Sequence, residues 1–297
     1  MYRMCTQWQA SPRTLPDDRV VFAVGDIHGA WGLLRELRRY IQAEIDANPG
    51  FDYRLVYLGD YIDRGPKSKE VLEFLVGQAQ QAQVETLFLC GNHDYFLNSL
   101  LELQDRGDQA QLLETVFTWL ANGGAQAMRS FNVAIQEDCL RDLRRLRDLV
   151  AKSLGAEVRR FLKTLRLTHR EGDYLFVHAG VHPTMPLERQ DGDEFLWIRD
   201  PFLDATGGWQ HDFCVVHGHT PSCPEVLPHR IGVDTGAYIS QALTAVQLKG
   251  DELRFLTTAK TATDQWQQRL NYGNPSRYTI VGDPRPTLDC AEYDPAL

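Results

Sequence analysis

Five short strings in this chain place Asp, Asn or His beside glycine, and these side chains could hold metal ions. The strings are Gly25-Asp26-Ile27-His28-Gly29, Gly59-Asp60-Tyr61-Ile62-Asp63-Arg64-Gly65, Gly91-Asn92-His93-Asp94, His178-Ala179-Gly180 and Gly218-His219-Thr220. Nearly all of them directly follow a β-branched, apolar run, which predicts that strands deliver the polar side chains into turns at one edge of a sheet. A single string of this kind is common in ordinary turns. Five of them in this order indicate a centre with two metal ions that hydrolyses phosphoesters.

The chemistry of phosphoester hydrolysis explains why these residue types would be needed. An anionic phosphate repels a hydroxide nucleophile, and two cations roughly 3.5–4 Å apart relieve that repulsion and lower the pKa of a shared water. Asp26 and His28 are expected to share one ion, and Asp60 is expected to bridge both ions. The ligands of the second ion would be completed by Asn92, His178 and His219. Because no cysteine belongs to this set, we expect no closed structural zinc site, and the mixed oxygen and nitrogen ligands suit Mn²⁺, our first expectation, as well as Fe, Zn²⁺ or Co²⁺.

Beyond metal binding, the reaction needs a proton donor for the leaving oxygen and positive groups for the phosphate. His93 follows the predicted ligand Asn92 and is our candidate for the general acid, with Asp63 holding its other ring nitrogen. Arg64 can bind phosphate oxygens with two parallel hydrogen bonds, and Arg199 is the candidate for a second such group. Asn92 is predicted to contact the phosphate as well as a cation.

The elements that must position these residues alternate between strand and helix in the first hundred residues. The predicted strands are Val20–Val24, Tyr53–Leu58 and Val84–Cys90, and the predicted helices are Trp31–Ala47 and Lys67–Gln81. This alternation predicts parallel strands joined by right-handed crossovers, whose carboxyl ends meet at one edge. Strand patterns resume at Tyr174–Val177, Phe213–Val216, Ile231–Val233, Ala242–Leu248 and Glu252–Thr257, the last two as an antiparallel hairpin.

The predicted domain organisation is one catalytic domain with short flanking segments. Residues 1–19 are assigned to an N-terminal extension, residues 20–262 to the catalytic domain, and residues 263–297 to a polar C-terminal tail. Helical patterns dominate residues 95–168 and predict a helical insertion within the catalytic domain. Basic residues outnumber acidic ones between residues 141 and 170, which we interpret as a solvated helix face, with a steering patch as the alternative.

Composition excludes several functional classes. The 297 residues carry a formal net charge of −9, which argues against a general nucleic-acid binder. The six cysteines are scattered without disulfide-framework spacing, as in intracellular proteins. We see no signal-peptide pattern and no apolar run near the ~18 residues that a membrane span needs, so we expect a cytoplasmic protein without membrane contact.

Together with Val233-Asp234-Thr235-Gly236-Ala237, the five strings resemble the PPP-type branch of the calcineurin-like metallophosphoesterases. Within that branch, the chain is most similar to the bacterial and phage lambda-type serine/threonine protein phosphatases, and Trp119-Leu120-Ala121-Asn122-Gly123-Gly124 resembles their segment near the substrate groove. The resemblance implies an α/β fold, a β-sandwich of two mixed sheets flanked by helices, with a dinuclear metal site. It implies the same ligands, acid pair and phosphate arginines as those given above. The chain departs from the eukaryotic pattern, because Cys90 precedes Gly91 and Asp94 replaces a glutamate.

These features lead us to expect a phosphatase that acts on phosphoserine or phosphothreonine in proteins. A metal-activated hydroxide would attack phosphorus in line, while His93 protonates the leaving oxygen. The alternative enzyme is a symmetrical diadenosine-tetraphosphate hydrolase, although such enzymes usually have Ala-Arg-Gly where this chain has Asp63-Arg64-Gly65. A further alternative is a catalytically silent scaffold that binds phosphate, but none of the expected ligands is missing. The physiological substrate and the oligomeric state are left open.

Overall fold

The computed structural model describes residues 1–80, 84–104, 109–205, 208–260 and 278–281. Its strands are β1 (Tyr2–Thr6), β2 (Gln9–Ala10), β3 (Arg19–Val24), β4 (Asp52–Tyr57), β5 (Glu85–Phe88), β6 (Thr168–Glu171), β7 (Tyr174–Val177), β8 (Cys214–His217), β9 (Glu225–Val226), β10 (Arg230–Gly232), β11 (Ala242–Lys249), β12 (Glu252–Ala259) and β13 (Tyr278–Val281). Its α-helices are α1 (Trp31–Ala47), α2 (Ser68–Ala79), α3 (Asn92–Leu101), α4 (Gln109–Trp119), α5 (Ala125–Ser130), α6 (Glu137–Arg141), α7 (Leu143–Leu162), α8 (Gly192–Trp197) and α9 (Ala237–Ser240). A π-helical turn, Leu120–Gly124, joins α4 to α5, and a short 3₁₀ helix covers Leu187–Arg189.

Within the described residues, the strands form two mixed sheets. The larger sheet has the order β13-β1-β12-β11-β3-β4-β5, with β2 paired to β12, and the smaller sheet has the order β6-β7-β8-β10-β9. The strands β3, β4 and β5 run parallel, as do β7, β8 and β10, whereas β11 and β12 form the predicted antiparallel hairpin. This arrangement confirms the expected α/β sandwich of two mixed sheets with helices.

The side chains of strand β3 contribute alternately to the two apolar clusters on either face of the larger sheet. Val21 and Ala23 belong to the apolar cluster between the sheets, which also contains Phe176 and Val216 of the smaller sheet. The alternate residues of β3 face the helices and pack in the cluster that contains Leu33, Leu34 and Leu37 of α1. Because every second side chain points to the same face of a strand, an uninterrupted apolar run suits a strand that is covered on both faces. Burial on this scale stabilises the fold by about 1.5–3 kcal/mol for each large apolar side chain.

The small sheet carries its own outer layer. Val177 and Val215 pack with Phe195 of α8 and Phe202, on the face opposite the sandwich interior. The four layers are therefore the helices, the larger sheet, the smaller sheet and the α8 layer.

Two features of the described chain differ from the expected boundaries. The first strand, β1, lies before the predicted catalytic range but belongs to the larger sheet, where it pairs with β12 on one side and β13 on the other and buries Met4. Helix α3 begins at Asn92 rather than at Tyr95, which places Asn92 and His93 in the first helical turn. The helices α3 to α7 then occupy most of the predicted insertion, and residue 168 begins β6. The predicted C-terminal tail lies outside the described residues except for β13.

No helix in the described part of the chain is both long enough and apolar enough to cross a lipid bilayer.

Candidate metal centre

The carboxyl ends of three parallel strands deliver the first group of predicted ligands. Asp26 and His28 follow β3, Asp60 follows β4, and Asn92 follows β5 as the first residue of α3. All four side chains are buried, with at most 5% of their surface exposed. Burial of two carboxylates, an amide and an imidazole at one edge costs free energy unless partners compensate it.

The smaller sheet brings the remaining predicted ligands to the same place. His178 follows β7 and His219 follows β8, and both are buried. The backbone N–H of His219 donates to both carboxylate oxygens of Asp26 at 3.1 Å. The metal centre therefore lies where the carboxyl ends of the two sheets meet.

Two of the histidines are held so that one ring nitrogen faces the centre. Nδ1 of His28 lies 2.8 Å from the carbonyl oxygen of Ile62, and Nδ1 of His178 lies 3.0 Å from the carbonyl oxygen of Leu58. A carbonyl can only accept, so each Nδ1 carries the proton and each Nε2 offers a lone pair. Burial lowers the pKa of both rings, and the Arg64 guanidinium lowers that of His28 further. Lowered pKa values favour the neutral imidazole, which is the form that binds metal ions.

The carboxylate of Asp60 lies between these two histidines. Its Oδ2 is 3.4 Å from Nε2 of His28, and its Oδ1 is 3.5 Å from Nε2 of His178. Each oxygen thus faces a different imidazole, as a carboxylate that bridges two ions must. Asp60 belongs to both groups of side chains that could hold an ion, and its bridging role stays a prediction.

Ring nitrogens of two histidines also lie close to the side-chain oxygen of Asn92. Its Oδ1 lies 2.9 Å from Nε2 of His178 and 3.1 Å from Nδ1 of His219, while Nε2 of His219 has no hydrogen-bond partner among the described residues. An oxygen and two nitrogens meet here within hydrogen-bond distance, which brings the predicted ligands of the second ion together.

The donor set fits a pair of divalent cations. Two groups of buried side chains could each hold an ion, namely His28, Asp60 and His93, and Asp26, Asp60 and His178. Burial and the charges of Asp234 and Asp60 raise the pKa of Asp26. The site is a buried Asp/His centre with the composition of a dinuclear metal site.

The predicted acid pair lies directly beside these ligands. Nδ1 of His93 is 2.6 Å from Oδ2 of Asp63, and both side chains are buried. Nε2 of His93 faces the centre, 3.9 Å from Oδ2 of Asp60. That nitrogen could donate a proton or bind a cation, and the two roles are separated by experiment below.

The two predicted phosphate arginines border different parts of the centre. Arg64 is half-buried; its Nη1 lies 3.1 Å from Nε2 of His28 and 3.1 Å from the hydroxyl of Tyr238, whose ring lies beneath the guanidinium at 4.8 Å. Arg199 is exposed, and its charge contributes to the lowered pKa of His219. Arg64 therefore stands within the centre, whereas Arg199 lies at its rim.

Several residues that touch this centre were not predicted as site residues. Asp94 accepts hydrogen bonds from the backbone N–H groups of Tyr61 and Gly91, at 3.1 Å and 3.0 Å, and so joins two of the metal-binding strings. Trp119 donates its indole N–H to Asp63, and Tyr238 supports Arg64. The position of Asp94 within its string was a usable signal, but the contacts of Trp119 and Tyr238 depend on packing between distant segments.

Comparison with known families agrees with this geometry. The model of the calcineurin-like phosphoesterase family matches residues 20–239. The chain belongs to this family. The buried Asp/His centre lies wholly within the matched residues.

The chain is similar to relatives with different described substrates. It is 27% identical to a symmetrical bis(5'-nucleosyl)-tetraphosphatase of Methylococcus capsulatus over 168 residues, which are 57% of this chain and 45% of that protein. It is also 27% identical to serine/threonine-protein phosphatase 1 of Salmonella typhimurium over 240 residues, which are 78% of this chain and 93% of that protein. An asymmetrical bis(5'-nucleosyl)-tetraphosphatase of Bacillus velezensis is 25% identical over 77% of this chain and 89% of its own length. The chain thus spans less than half of the first of these relatives.

Solved structures share the fold. A candidate diadenosine tetraphosphatase superimposes with a TM-score of 0.53 at 23% identity, covering 85% of this chain and all of that one. A cold-active protein tyrosine phosphatase superimposes with a TM-score of 0.51 at 20% identity, covering 82% of this chain and 80% of that one. At these identities the likeness concerns the architecture alone.

Proposed function

We propose that this protein is a metal-dependent phosphomonoesterase that removes phosphate from phosphoserine or phosphothreonine in proteins. The observation that carries the proposal is the buried pair of His93 and Asp63, 2.6 Å apart, beside the metal-binding side chains. The match to serine/threonine-protein phosphatase 1 over 93% of that protein's length supports the same substrate class.

The leaving group explains why this pair matters. A serine or threonine side chain leaves phosphorus as a strongly basic alkoxide, so its departure requires a proton in the transition state. The nucleotide released from a phosphoanhydride is a stabilised anion and leaves without such help. A positioned acid contributes about 10²–10⁴-fold to rate where protonation is needed. A chain that keeps a carboxylate on its histidine is therefore suited to monoesters.

The chain's own residues would divide the remaining work. When bound, two divalent cations would neutralise phosphate oxygens and lower the pKa of a water held between them. Arg64 would orient the phosphate from the side of His28, because Tyr238 holds its guanidinium there. Arg199 would contribute from the rim of the centre.

The test compares substrates on the protein loaded with Mn²⁺. We expect hydrolysis of a phosphoserine peptide and of p-nitrophenyl phosphate, with little release of ADP from diadenosine tetraphosphate. His93→Ala should lower turnover of the phosphoserine peptide by about 10²–10⁴-fold while elemental analysis shows unchanged metal content. Equal loss of metal would identify His93 as a ligand rather than the acid. Inertness with Mn²⁺, Fe²⁺, Zn²⁺ and Co²⁺ would favour a phosphate-binding scaffold.

A second candidate function is the hydrolysis of dinucleoside tetraphosphates. The relatives described above include more tetraphosphatases than protein phosphatases, among them the Methylococcus capsulatus and Bacillus velezensis proteins. A clear preference for diadenosine tetraphosphate in the same assay would establish this function and overturn the phosphoprotein proposal. The identity of the product would then separate symmetrical from asymmetrical cleavage, because the former gives two ADP and the latter gives ATP and AMP.

A further inference from the structure

The indole of Trp119 is hydrogen-bonded to the same carboxylate oxygen of Asp63 that contacts His93. Trp119 is the last residue of α4 and is completely buried. Its Nε1 donates to Oδ2 of Asp63 at 2.6 Å, and the same oxygen lies 2.6 Å from Nδ1 of His93. The other oxygen of Asp63 has no hydrogen-bond partner among the described residues. Besides His93, Trp119 is thus the side-chain donor that fixes the rotation of this carboxylate.

The π-helical turn after Trp119 packs against the same part of the site. The carbonyl oxygen of Gly123 accepts from the backbone N–H of Arg64 at 3.2 Å, and a Cβ on Gly123 would lie 2.7 Å from Cγ of Arg64. A Cβ on Gly124 would lie 2.8 Å from Nε1 of Trp119. Two adjacent glycines therefore allow the turn to press against the indole on one side and against Arg64 on the other.

We propose that Trp119 is a positioning residue for proton transfer: its indole N–H holds Asp63 so that the ring of His93 points Nε2 into the metal centre. The proposal rests on the acid role of His93 given above. Trp119 is completely buried, and its indole N–H donates to Asp63 rather than to a predicted metal ligand. Loss of the indole N–H should therefore slow hydrolysis when the leaving group must be protonated. It should leave the rate unchanged when the leaving group needs no proton.

The test is a leaving-group series on the Mn²⁺-loaded protein. Trp119→Phe removes the indole N–H and keeps an aromatic ring. We expect kcat for phenyl phosphate, which has a basic leaving group, to fall about tenfold, the effect of losing a hydrogen bond to a charged group. Turnover of 2,4-dinitrophenyl phosphate, whose leaving group needs no proton, should stay near the wild-type value. A uniform loss on both substrates would overturn the proposal.

The chain offers a matched control in Trp209→Phe. Nε1 of Trp209 also donates a hydrogen bond, but to the backbone carbonyl of Phe213 at 3.2 Å, in the apolar cluster outside the smaller sheet. Its replacement removes the same donor and the same ring volume far from the acid pair. Relative to the wild-type protein, Trp209→Phe should change turnover of phenyl phosphate and of 2,4-dinitrophenyl phosphate by the same factor, and a loss specific to phenyl phosphate would contradict the proposal.

A double-mutant cycle shows whether Trp119 acts through His93. In the His93→Ala background, Trp119→Phe should cause no further loss on phenyl phosphate, because residues that act as a unit are not additive. Two full losses that add would overturn the proposal. If His93→Ala itself lowers all substrates equally, the acid assignment in the proposed function fails. If the loss of kcat in His93→Ala depends on the leaving group and the loss in Trp119→Phe does not, only the role of Trp119 is contradicted.

Two further measurements keep the proposal testable if Trp119→Phe folds poorly. Gly124→Ala keeps the indole but crowds it, and it should reproduce the loss that is specific to phenyl phosphate. In the metal-free protein, the proton between His93 and Asp63 should give a downfield NMR resonance that is absent in His93→Ala. Displacement of the indole should shift or broaden this resonance, and an unchanged resonance in Gly124→Ala and Trp119→Phe would contradict the positioning role.

Discussion

Replacing Gly25 with alanine tests whether the two sheets must nearly touch at the edge that carries the ligands. An ideal Cβ on Gly25 would lie 2.5 Å from the carbonyl oxygen of Val233, and 3.3 Å from Cα of Asp234. These are backbone atoms, so no change of rotamer can relieve the contact. Real Cβ contacts are essentially never shorter than 3.0 Å, so the segment before Asp26 must move away from the smaller sheet.

The expected size of the effect follows from this displacement. Overpacking of this kind lowers the free energy of unfolding by about 1–3 kcal/mol. A ligand displaced by 1 Å can cost about 10²-fold in rate, so the displacement needed here, about half as large, should lower kcat/KM about tenfold. Gly77→Ala is the matched control, because a Cβ at this position in α2 meets no atom within 4 Å. Alanine at residue 77 should raise the free energy of unfolding by about 0.5–1 kcal/mol and leave turnover unchanged.

The measurements are urea unfolding of the metal-free proteins and kcat/KM for p-nitrophenyl phosphate with Mn²⁺. Using metal-free protein for unfolding separates the packing effect from any change in metal binding. Wild-type stability and turnover in Gly25→Ala would refute the reasoning that the sheets must approach closely here. Equal destabilisation by Gly25→Ala and Gly77→Ala would refute it as well, since only one of the two positions is crowded.

Three other outcomes are expected from the same centre. Asp60→Asn should lower the bound metal by at least one ion per chain in elemental analysis, because each oxygen of Asp60 faces a different histidine. Added Mn²⁺ should also raise the melting temperature of this variant less than that of the wild type. Two tightly bound ions in this variant would contradict the bridging role. Arg64→Lys should lower kcat/KM about tenfold, since lysine keeps the charge but loses the fork and the stacking on Tyr238; wild-type kinetics would show that charge alone suffices. Arg199→Ala should have a smaller effect that shrinks as salt increases, because Arg199 is exposed; a loss that is independent of salt would contradict a role at the rim.

The proximity of Asp26 and Asp60 could be predicted from the sequence because strand ends determine where side chains meet. Asp26 and Asp60 lie in the turns that follow two parallel neighbours, β3 and β4, so their proximity follows from the strand pattern alone. The convergence of His178 with these residues needed the second sheet, whose packing against the first depends on the whole apolar interior. The family resemblance supplied that part of the prediction, and the strand pattern by itself would have left the order of the sheets open.

The contact between Trp119 and Asp63 could not be predicted in the same way. Trp119 lies 56 residues further along the chain and reaches Asp63 from the end of a helix in the predicted insertion. The string from Trp119 to Gly124 indicates a place near the substrate groove, but it does not show which group the indole N–H would contact. The indole finds this carboxylate because Gly123 and Gly124 let the turn approach it, which is a property of the packed structure.

The backbone conformation of the site residues gives a further reason why a single string predicts the position of its side chains poorly. His28, Asp60, Asp63, Arg64 and His219 all adopt left-handed backbone, with φ between 44° and 72°. Each such residue costs of the order of 1–3 kcal/mol and persists only when the surrounding structure determines it. No local sequence preference would place five non-glycine residues in this region.

Hydrogen bonds between different strings support this strained backbone. The carbonyl oxygen of Asp60 accepts from the N–H of His28 at 2.8 Å, and its Oδ1 accepts from the N–H of His93 at 3.0 Å. Asp26 holds the N–H of His219 in the same way from the other sheet. The carboxylates of Asp60 and Asp26 therefore each hold the backbone of another string in place. Displacement of one string should then displace the strings that are hydrogen-bonded to it. Asp60→Ala removes the side-chain acceptor of the His93 N–H, so its backbone amide NMR shifts around His93 should change even in metal-free protein, whereas Asp60→Asn keeps an acceptor oxygen and should change them less; equal shifts in the two variants would contradict this coupling.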